Sequence, residues 1–350
     1  MSHDPKNISP TQPRLEHMAI WVEDIDRSVA FLERALGWRR HPLVFGVDED
    51  DTIYGGMLLA FVDANGFWLE LVQPTTEGPG MDFLRQKGDG SLVELDFEVL
   101  DFDASCERMA KRGITLMGMD GNPMQRGGLL REWFLDENGE RQRGDELLSY
   151  LPVDVAQGTS IELFWEYPSG VIIRRDRTWS AEQRTPRDAP RFDHTSVITS
   201  DFEASLALYT DTLDLEHQPA ARGLSRAWTG MDGGRHAWLR ANERGNWISL
   251  MAPAGPGNRL IDDPTLGHGA ILEVAAEVSD IAAFAKRMAS EGISLTAGDG
   301  AALPPGASWV EVPETGDRYA YFCREASLGM RIMVFQRGPA ATSVFAARDR

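Results

Sequence analysis

The amino-acid sequence predicts an α+β protein of tandem βαβββ modules, four in total, which pair into two cup-shaped, partly closed mixed-sheet barrels. Three observations lead to this prediction: an internal repeat, a strand-then-helix pattern that opens each module, and the length of the chain. The chain has 350 residues, which is more than one hydrophobic core usually accommodates and about right for two domains. Its hydrophobic fraction of 42% is ordinary for globular proteins and therefore agrees with two packed cores.

The repeat has four landmarks, which occur in the same order and at nearly constant spacing in the two halves of the chain. The first landmark, RLEH, ends at His17 and recurs as RFDH, which ends at His194. Each copy continues with a strand-like run, an aspartate and apolar residues at helical spacing. The other three pairs are 68–71 with 247–250, 88–99 with 267–278, and 150–164 with 321–335. An ordered set of this kind indicates a duplication.

The repeat and the turn-forming segments together predict the domain boundaries. A proline-containing, charged segment between the two copies is typical of a linker. The segment 118–148 contains a glycine pair and a charged run, and we interpret it as a hairpin or lid. The predicted parts are a polar leader (1–13), a first domain (14–167, with modules 14–80 and 88–167), a linker (168–190), a second domain (191–338) and a tail (339–350).

Charge and cysteine content exclude several classes of function. The formal net charge is −19, and binding of nucleic acid or of an anionic membrane surface needs clustered cations. The apolar runs are much shorter than the ~20 residues that span a bilayer. Cys106 and Cys323 lie far apart, without the spacing of a disulfide framework or a zinc site. We therefore expect a cytoplasmic protein with a small-molecule substrate, and the chain is compatible with a homodimer.

Side-chain alternation predicts where the candidate functional residues face. In the run 93–99 the apolar residues Val93, Leu95, Phe97 and Val99 occupy one face and the carboxylates, Glu94 among them, the other. Glu70, Glu162 and His17 likewise lie opposite the main apolar face of their own strands. If the helices cover the apolar faces, these four side chains converge on the concave side, where a ligand cavity belongs.

Three segments of the first half resemble the vicinal oxygen chelate superfamily, which includes glyoxalase I, methylmalonyl-CoA epimerase and extradiol dioxygenases. They are EHMAIWVEDIDRSVAFLERALGW, GPGMDFLRQKGDGSLVELDFEVLDFDA and YLPVDVAQGTSIELFWEYP. The resemblance covers nearly the whole chain and implies one divalent metal ion, held by His17, Glu70, Glu94 and Glu162. The family often has histidine where this chain has Glu94. The resulting oxygen-rich set suits Fe, Mn, Co, Zn or Mg.

The resemblance also implies a chemistry, in which the metal acts as a Lewis acid and stabilises an enolate or related oxyanion. Glu94 and Glu162 are the candidate catalytic residues, because a carboxylate beside the metal moves a proton from carbon. Trp21 and Trp68 would wall the substrate pocket, and Asp96 on the face of Glu94 is a reserve acid. We therefore expect a metal-dependent isomerase or lyase acting on a small carbonyl or aromatic substrate.

Alternatives stay open at this point, both for the pairing of the modules and for the function. The second copy has His194, Ser249, Glu273 and Met333 at the matching positions, so its own metal site is degenerate. If modules paired across domains, His17 and Glu70 would meet Glu273, while His194 would meet Glu94 and Glu162; pairing within each domain keeps the four ligands together and is preferred. An extradiol-type ring-cleaving dioxygenase and a small-molecule binding or resistance protein without catalysis are the alternative functions.

Overall fold

The structure is a computed structural model, and it describes residues 12–124, 128–136, 138–166, 183–219, 234–252, 268–298, 302–303, 305–339 and 343. The predicted leader (1–13), linker (168–190) and tail (339–350) lie mostly outside these residues. Among the described residues, no helix has the length and apolar character needed to cross a membrane.

The first half contains the strands and helices of two successive modules, as the sequence predicts. The elements are β1 (Arg14–Trp21), α1 (Ile25–Leu36), β2 (Arg39–Arg40), β3 (Val44–Val47), a 3-10 turn (Glu49–Asp51), β4 (Met57–Asp63), β5 (Trp68–Pro74), α2 (Pro79–Lys87), β6 (Ser91–Glu98), α3 (Phe102–Lys111), β7 (Gly128–Leu135), β8 (Arg141–Tyr150) and β9 (Ser160–Glu166). The segment interpreted as a hairpin or lid forms the paired strands β7 and β8, which belong to the sheet.

The second half repeats this order of elements. They are β10 (Arg191–Ile198), α4 (Phe202–Ala207) with a π-helical turn (Leu208–Thr212), β11 (Glu216–Pro219), β12 (Arg235–Arg240), β13 (Trp247–Ala252), β14 (Ile271–Glu277), α5 (Ile281–Ser290), β15 (Leu295–Thr296), β16 (Val310–Glu311), β17 (Arg318–Phe322) and β18 (Ile332–Gln336). The α+β fold class and the tandem modules are confirmed.

The two sheets differ in closure. The first runs in the order β2-β4-β3-β7-β8-β9-β6-β1-β5, and β4 also pairs with β5, so that it closes into a barrel. The second runs β11-β12-β13-β10-β14-β18-β17-β15, with β16 paired to β17, and is open within the described residues. The prediction of partly closed barrels therefore underestimates the first half, whose wall is complete.

Each module places its helix with the same local signal, an aspartate just before the first turn. Asp24, Asp101, Asp201 and Asp280 cap α1, α3, α4 and α5 by accepting hydrogen bonds from backbone N–H groups in the first turn. Such N-caps typically stabilise a helix by about 1 kcal/mol. The apolar faces of these helices pack on the outer faces of the sheets, in one core shared by both halves. The barrel interior is thereby left for other residues.

Two irregularities in the pairing of β1 with β6 change which side chains point inward. Leu15 pairs with Phe97 but His17 with Asp96, so Glu16 is an extra residue, and both Glu16 and His17 line the interior. A second shift, between Ala19 and Ile20, turns Val93 inward. The predicted apolar face of β6 is therefore wrong at Val93, because strict alternation fails at a bulge.

The modules pair within each half, and the halves then pack against each other. β1 pairs with β6 and β10 with β14, so the alternative pairing across domains is not adopted. The halves are joined by the hydrogen bonds from Leu15 N to Ala241 O (3.0 Å) and from Phe192 N to Ala64 O (2.9 Å). The rings of Phe67 and Phe192 stack at 3.9 Å. The two halves thus share a continuous apolar interface.

Candidate metal centre in the first barrel

A cavity of about 100 Å³ lies inside the first barrel, lined by both charged and aromatic side chains. Four neighbouring strands, in the spatial order β9, β6, β1 and β5, supply its charged wall. His17 comes from β1, Glu70 from β5, Glu94 from β6 and Glu162 from β9, and all four line this cavity. The side chains that the sequence singled out on the concave face are therefore brought to one place.

Ligand-type atoms approach one another closely around Asp96 of β6. His17 Nε2 lies 3.4 Å from Asp96 Oδ2 and 3.7 Å from Glu70 Oε2. His17, Glu70 and Asp96 form one group whose donor atoms lie within 4.8 Å of one another, and Glu94, Asp96 and Glu162 form another. Asp96 belongs to both groups. The described residues thus offer one imidazole nitrogen and several carboxylate oxygens around a common point.

Asp96 is the residue that sequence reasoning underestimates. Its strand position suggests only a reserve acid at the pocket, whereas 1% of it is exposed, and its Oδ2 has no hydrogen-bond donor among the described residues. The register explains its position, because Asp96 pairs with His17 on one side and with Glu162 on the other. A buried carboxylate oxygen without a donor is costly unless it meets a cation. This atom fits a metal ligand.

Glu16 is a second residue that sequence reasoning missed. Its Oε2 lies 2.8 Å from His17 Nδ1, and a carboxylate there holds a proton on Nδ1, so that Nε2 is the nitrogen available to a metal when the ring is neutral. Nε2 is the atom that faces Asp96 and Glu70. The signal was present in the repeat, where an acidic residue precedes histidine in both copies, Glu16-His17 and Asp193-His194.

The carboxyl groups lie close to one another and are buried, which disfavours their charged forms. Burial raises the pKa of Glu162 to about 7, against opposing contributions from a hydrogen bond with Tyr150 and the charge of His17. Burial, and then the charge of Glu162, raise the pKa of Glu94 well above its usual range. Burial, and then the charge of Glu94, do the same for the pKa of Asp96. A divalent cation would relieve this repulsion.

The histidine itself is biased towards its charged form. Burial alone would lower the pKa of His17, but the hydrogen bond and charge of Glu16, with the charges of Glu70 and Glu162, raise it overall. The rings of Phe61 and Phe164 flank the imidazole at 5.6 and 5.0 Å. These rings keep water from the face of His17, so its electrostatic partners are the surrounding carboxylates.

Polar and aromatic neighbours surround the second carboxylate group. Ser160 Oγ donates to Glu94 Oε1 at 2.9 Å, and the Tyr150 hydroxyl hydrogen-bonds with Glu162 and Glu94. Trp21 lines the cavity, packed against the rings of Tyr54 and Phe83. Trp68, the other predicted pocket wall, is buried beside the ring of His41 at 6.0 Å. It lines neither this cavity nor the larger cavity between the two halves.

The equivalent place in the second half is filled by packing. His194 lies between the rings of Trp238 (4.9 Å) and Phe335 (5.7 Å). Glu273 accepts hydrogen bonds from Ser196 Oγ (2.8 Å) and the Tyr321 hydroxyl (2.7 Å). Within the described residues, both groups that fit a metal ion lie in the first half. His194 and Glu273 are therefore not joined to the first-half ligands.

Comparison with protein families gives two matches, one in each half. Both carry the description Glyoxalase/Bleomycin resistance protein/Dioxygenase superfamily, and they cover residues 16–129 and 191–302. Together these ranges span well over half of the chain. A comparison with curated protein sequences gave no significant match.

Solved structures show the same fold over the whole chain. A mutant of 4-hydroxymandelate synthase from Streptomyces coelicolor is 12% identical with a TM-score of 0.58, and the match covers 97% of this chain and 98% of that one. A xylose isomerase-like TIM barrel/4-hydroxyphenylpyruvate dioxygenase fusion protein is 13% identical with a TM-score of 0.50, over 95% of this chain and 51% of that one. At these identities the likeness concerns the fold alone.

Proposed function

The chain belongs to the Glyoxalase/Bleomycin resistance protein/Dioxygenase superfamily, and on that premise we propose that its first half is a divalent-metal enzyme. The reaction is a proton transfer on a small carbonyl or aromatic substrate, of isomerase or lyase type. One observation carries the proposal: the buried Asp96 oxygen without a donor, placed where His17, Glu70, Glu94 and Glu162 converge. Burying this many acids in one place is costly unless a cation compensates them.

The residues fit a hard divalent ion. His17 Nε2, Glu70 and Asp96 would hold it, together with Glu162 or Glu94. Oxygen-rich sets of this kind suit Mg, Mn, Fe, Co or Zn better than a soft metal. Glu16 would orient His17 through Nδ1. When bound, such an ion supplies Lewis-acid polarisation of two neighbouring substrate oxygens.

The protein's own carboxyl groups would supply the acid–base chemistry. In the metal-free chain burial raises the pKa of Glu162 to about 7, and a carboxyl group with a raised pKa is suited to acid–base catalysis. The Tyr150 hydroxyl lies within hydrogen-bonding reach of both Glu162 and Glu94. Phe61 and Phe164 close the cavity towards His17. Glu162 would take a proton from carbon and exchange it with solvent before a proton is returned.

Hydrogen exchange at carbon tests this proposal across several substrate classes at once. Metal-loaded protein is incubated in D₂O with α-hydroxy ketones, hemithioacetals and acyl thioesters, and NMR follows loss of the proton next to the carbonyl. We expect exchange that stops after chelation and in Glu162→Gln, and that persists in His194→Ala. Oxygen uptake with a catechol would indicate the ring-cleaving alternative, and binding unaffected by a chelator would indicate a binding protein. Either result would contradict the proposal.

The ligand set gives a reason to rank the dioxygenase second. The typical oxygen-activating iron site uses two histidines and one carboxylate. The two candidate groups in the described residues contain a single histidine, His17. The excess of carboxylates favours proton transfer over oxygen activation.

A further inference from the structure

A second and much larger cavity adjoins the barrel site. Its volume is about 1070 Å³, and it lies between the two halves of the chain. Trp21, Tyr54, Glu94, Met119 and Tyr150 line both this cleft and the barrel cavity. The candidate metal centre therefore faces the cleft through a shared wall of five residues.

The sizes of the two spaces indicate how a substrate is divided between them. The barrel cavity of about 100 Å³ has room for about three water molecules, at about 30 Å³ each in the liquid. It accommodates a metal ion and the few atoms of a chelating group. The cleft of about 1070 Å³ matches the upper range of small-molecule pockets, about 300–1000 Å³. A substrate that reacts in the barrel therefore has its remaining atoms in the cleft.

The charges of the cleft are distributed unevenly between the two halves. The first half contributes Glu94, Asp89 and Asp154 together with Lys87. The charged residues from the second half are both cationic, Arg324 and Arg331, on a chain with a net charge of −19. Over the whole cleft three acids and three cations balance, so the positive charge is concentrated on the wall from the second half.

Arg331 is held firmly at this wall. Its side chain is 11% exposed, with Nε 3.8 Å from Glu273 Oε2 and the guanidinium 5.5 Å from the centre of the Tyr321 ring. Arg324 is exposed at the same wall. Arginine binds carboxylate and phosphate groups through paired N–H donors, more strongly where water is partly excluded. The wall thus combines one partly buried arginine beside Glu273 and one exposed arginine.

Close backbone contacts beside the cleft hold the two halves at a fixed distance from each other. A Cβ atom added to Gly90 would collide with the backbone of Met330, and one added to Gly269 would collide with the backbone of Gly158. Gly90 and Gly269 adopt positive φ angles of 76° and 81°. These backbone contacts fix the distance between the first barrel and the cationic wall of the second half.

We propose that the second half recognises the substrate, with Arg324 and Arg331 binding an anionic group, carboxylate or phosphate, at the end remote from the chelating oxygens. The substrate is an elongated acid whose carbonyl end enters the first barrel and whose middle part contacts apolar residues such as Phe83 and Leu272. This inference rests on the proposed metal chemistry for the position of the carbonyl end. It assigns a role to the half that has lost its ligands.

Matched pairs of chelators test the inference. A homologous series of ω-carboxyalkyl hydroxamates carries a bidentate head and an anionic tail, and the methyl esters carry the same head with a neutral tail. A phosphonate series separates phosphate from carboxylate preference. Titration calorimetry of the Mn²⁺-loaded full chain should show that the best acid binds about 10-fold tighter than its ester, since a charge-assisted hydrogen bond typically contributes that much. Equal affinities throughout both series would overturn the inference.

Variants locate the effect. Arg324→Gln, and Arg331→Met combined with Glu273→Gln so that no buried charge loses its partner, should each reduce the preference for the acid to about 2-fold or less. Lys111→Gln, which removes an exposed cation on α3 outside the cleft, should leave the preference unchanged. A preference that survives in both arginine variants would contradict the assignment.

A metal-free arm separates this inference from the proposed function. Saturation-transfer NMR compares 3-phenylpropanoate with its methyl ester on the metal-free chain. Selective binding of the acid that is lost in Arg324→Gln supports the anion-binding role of the cationic wall. If in addition no hydroxamate binds the Mn²⁺-loaded protein, only the proposed metal chemistry is contradicted. If the metal-free chain does not prefer the acid but the Mn²⁺-loaded chain binds hydroxamates, the anion-binding role of the cationic wall is wrong. The proposed metal chemistry is then unaffected.

Discussion

The two halves of the chain share one fold, but their interiors differ in the number of buried carboxylates. In the first, His17 pairs with Asp96, which pairs in turn with Glu162. In the second, the same register places His194 opposite Ala275, which pairs with Met333. Even the irregularity before the histidine recurs, between Phe192 and His194. Two carboxylates in one half are thus an alanine and a methionine in the other.

The difference separates what the fold needs from what the site needs. In the second interior Trp238, Tyr321 and Phe335 pack around Met333, and the buried Glu273 has protein hydrogen-bond donors. The fold therefore forms without buried acids at these positions. Burial of a charge costs free energy unless a partner compensates. The fold therefore does not require the acids of the first barrel at these two positions, which agrees with the proposed metal site.

The largest expected effect is on metal affinity, when two residues of the first barrel are replaced by their counterparts from the second half. Asp96→Ala with Glu162→Met introduces the residues found at Ala275 and Met333. We expect loss of metal binding by more than about 100-fold, since removal of outer-shell partners alone typically costs about 10–100-fold. Titration of the chelator-treated protein with Mn²⁺ measures it. Unchanged affinity in this double variant would show that the metal, if any, binds elsewhere.

A smaller effect is expected at the acidic residue before each histidine. Glu16→Gln weakens the hydrogen bond that fixes the tautomer of His17, and we expect about 10–100-fold lower metal affinity with unchanged stoichiometry. The matched variant in the second half, Asp193→Asn, alters the same contact at His194. It should leave metal affinity as it is. Equal losses in both variants would indicate a structural effect common to the two halves.

The pH dependence of stability should differ between metal-free and metal-loaded protein. Burial raises the pKa of Glu162 to about 7, and the pKa values of Glu94 and Asp96 are also raised. A carboxyl group with a raised folded pKa holds a proton that the unfolded chain has lost, so stability falls as pH rises from about 4.5 to about 7. His17, with its raised pKa, acts in the same direction.

Thermal unfolding at a series of pH values checks this expectation. The metal-free chain should unfold at lower temperature at about pH 7.5 than at about pH 5, and saturating Mn²⁺ should reduce the slope, because the metal binds the deprotonated groups. The Asp96→Ala, Glu162→Met variant should also have a reduced slope without metal. A metal-free wild-type chain that gains stability over this range would contradict the electrostatic description of the barrel.

The smallest effect concerns the stability of the metal-free chain at neutral pH. Asp96→Ala removes a buried carboxyl group whose Oδ2 has no donor among the described residues. We expect an increase of about 1 kcal/mol in the free energy of unfolding, because the substitution removes the cost of burying a polar group without a hydrogen-bond donor. Chemical denaturation with excess chelator measures it. Destabilisation by more than about 1 kcal/mol would assign Asp96 a structural role.

The sequence predicted the duplication because its landmarks follow chain order, and it predicted the convergence of His17, Glu70, Glu94 and Glu162 because strand alternation is local. It placed Asp96 at the pocket only as a reserve acid, because the sequence does not show that Asp96 is buried beside His17, and it missed Glu16. The inward position of Glu16 depends on a bulge, which moves one residue out of alternation and is set by pairing between β1 and β6. Val93 was misplaced for the same reason. The cleft could not be predicted from the sequence either, because it depends on how the two halves pack against each other.

Metal stoichiometry tests the asymmetry between the halves most directly. Elemental analysis of protein purified after growth with adequate metal should give one divalent ion per chain. The ion should be absent from His17→Ala and retained by His194→Ala, two variants that remove the same side chain from equivalent strands. Two ions per chain, no ion in the wild type, or loss of the ion only in His194→Ala would contradict the account.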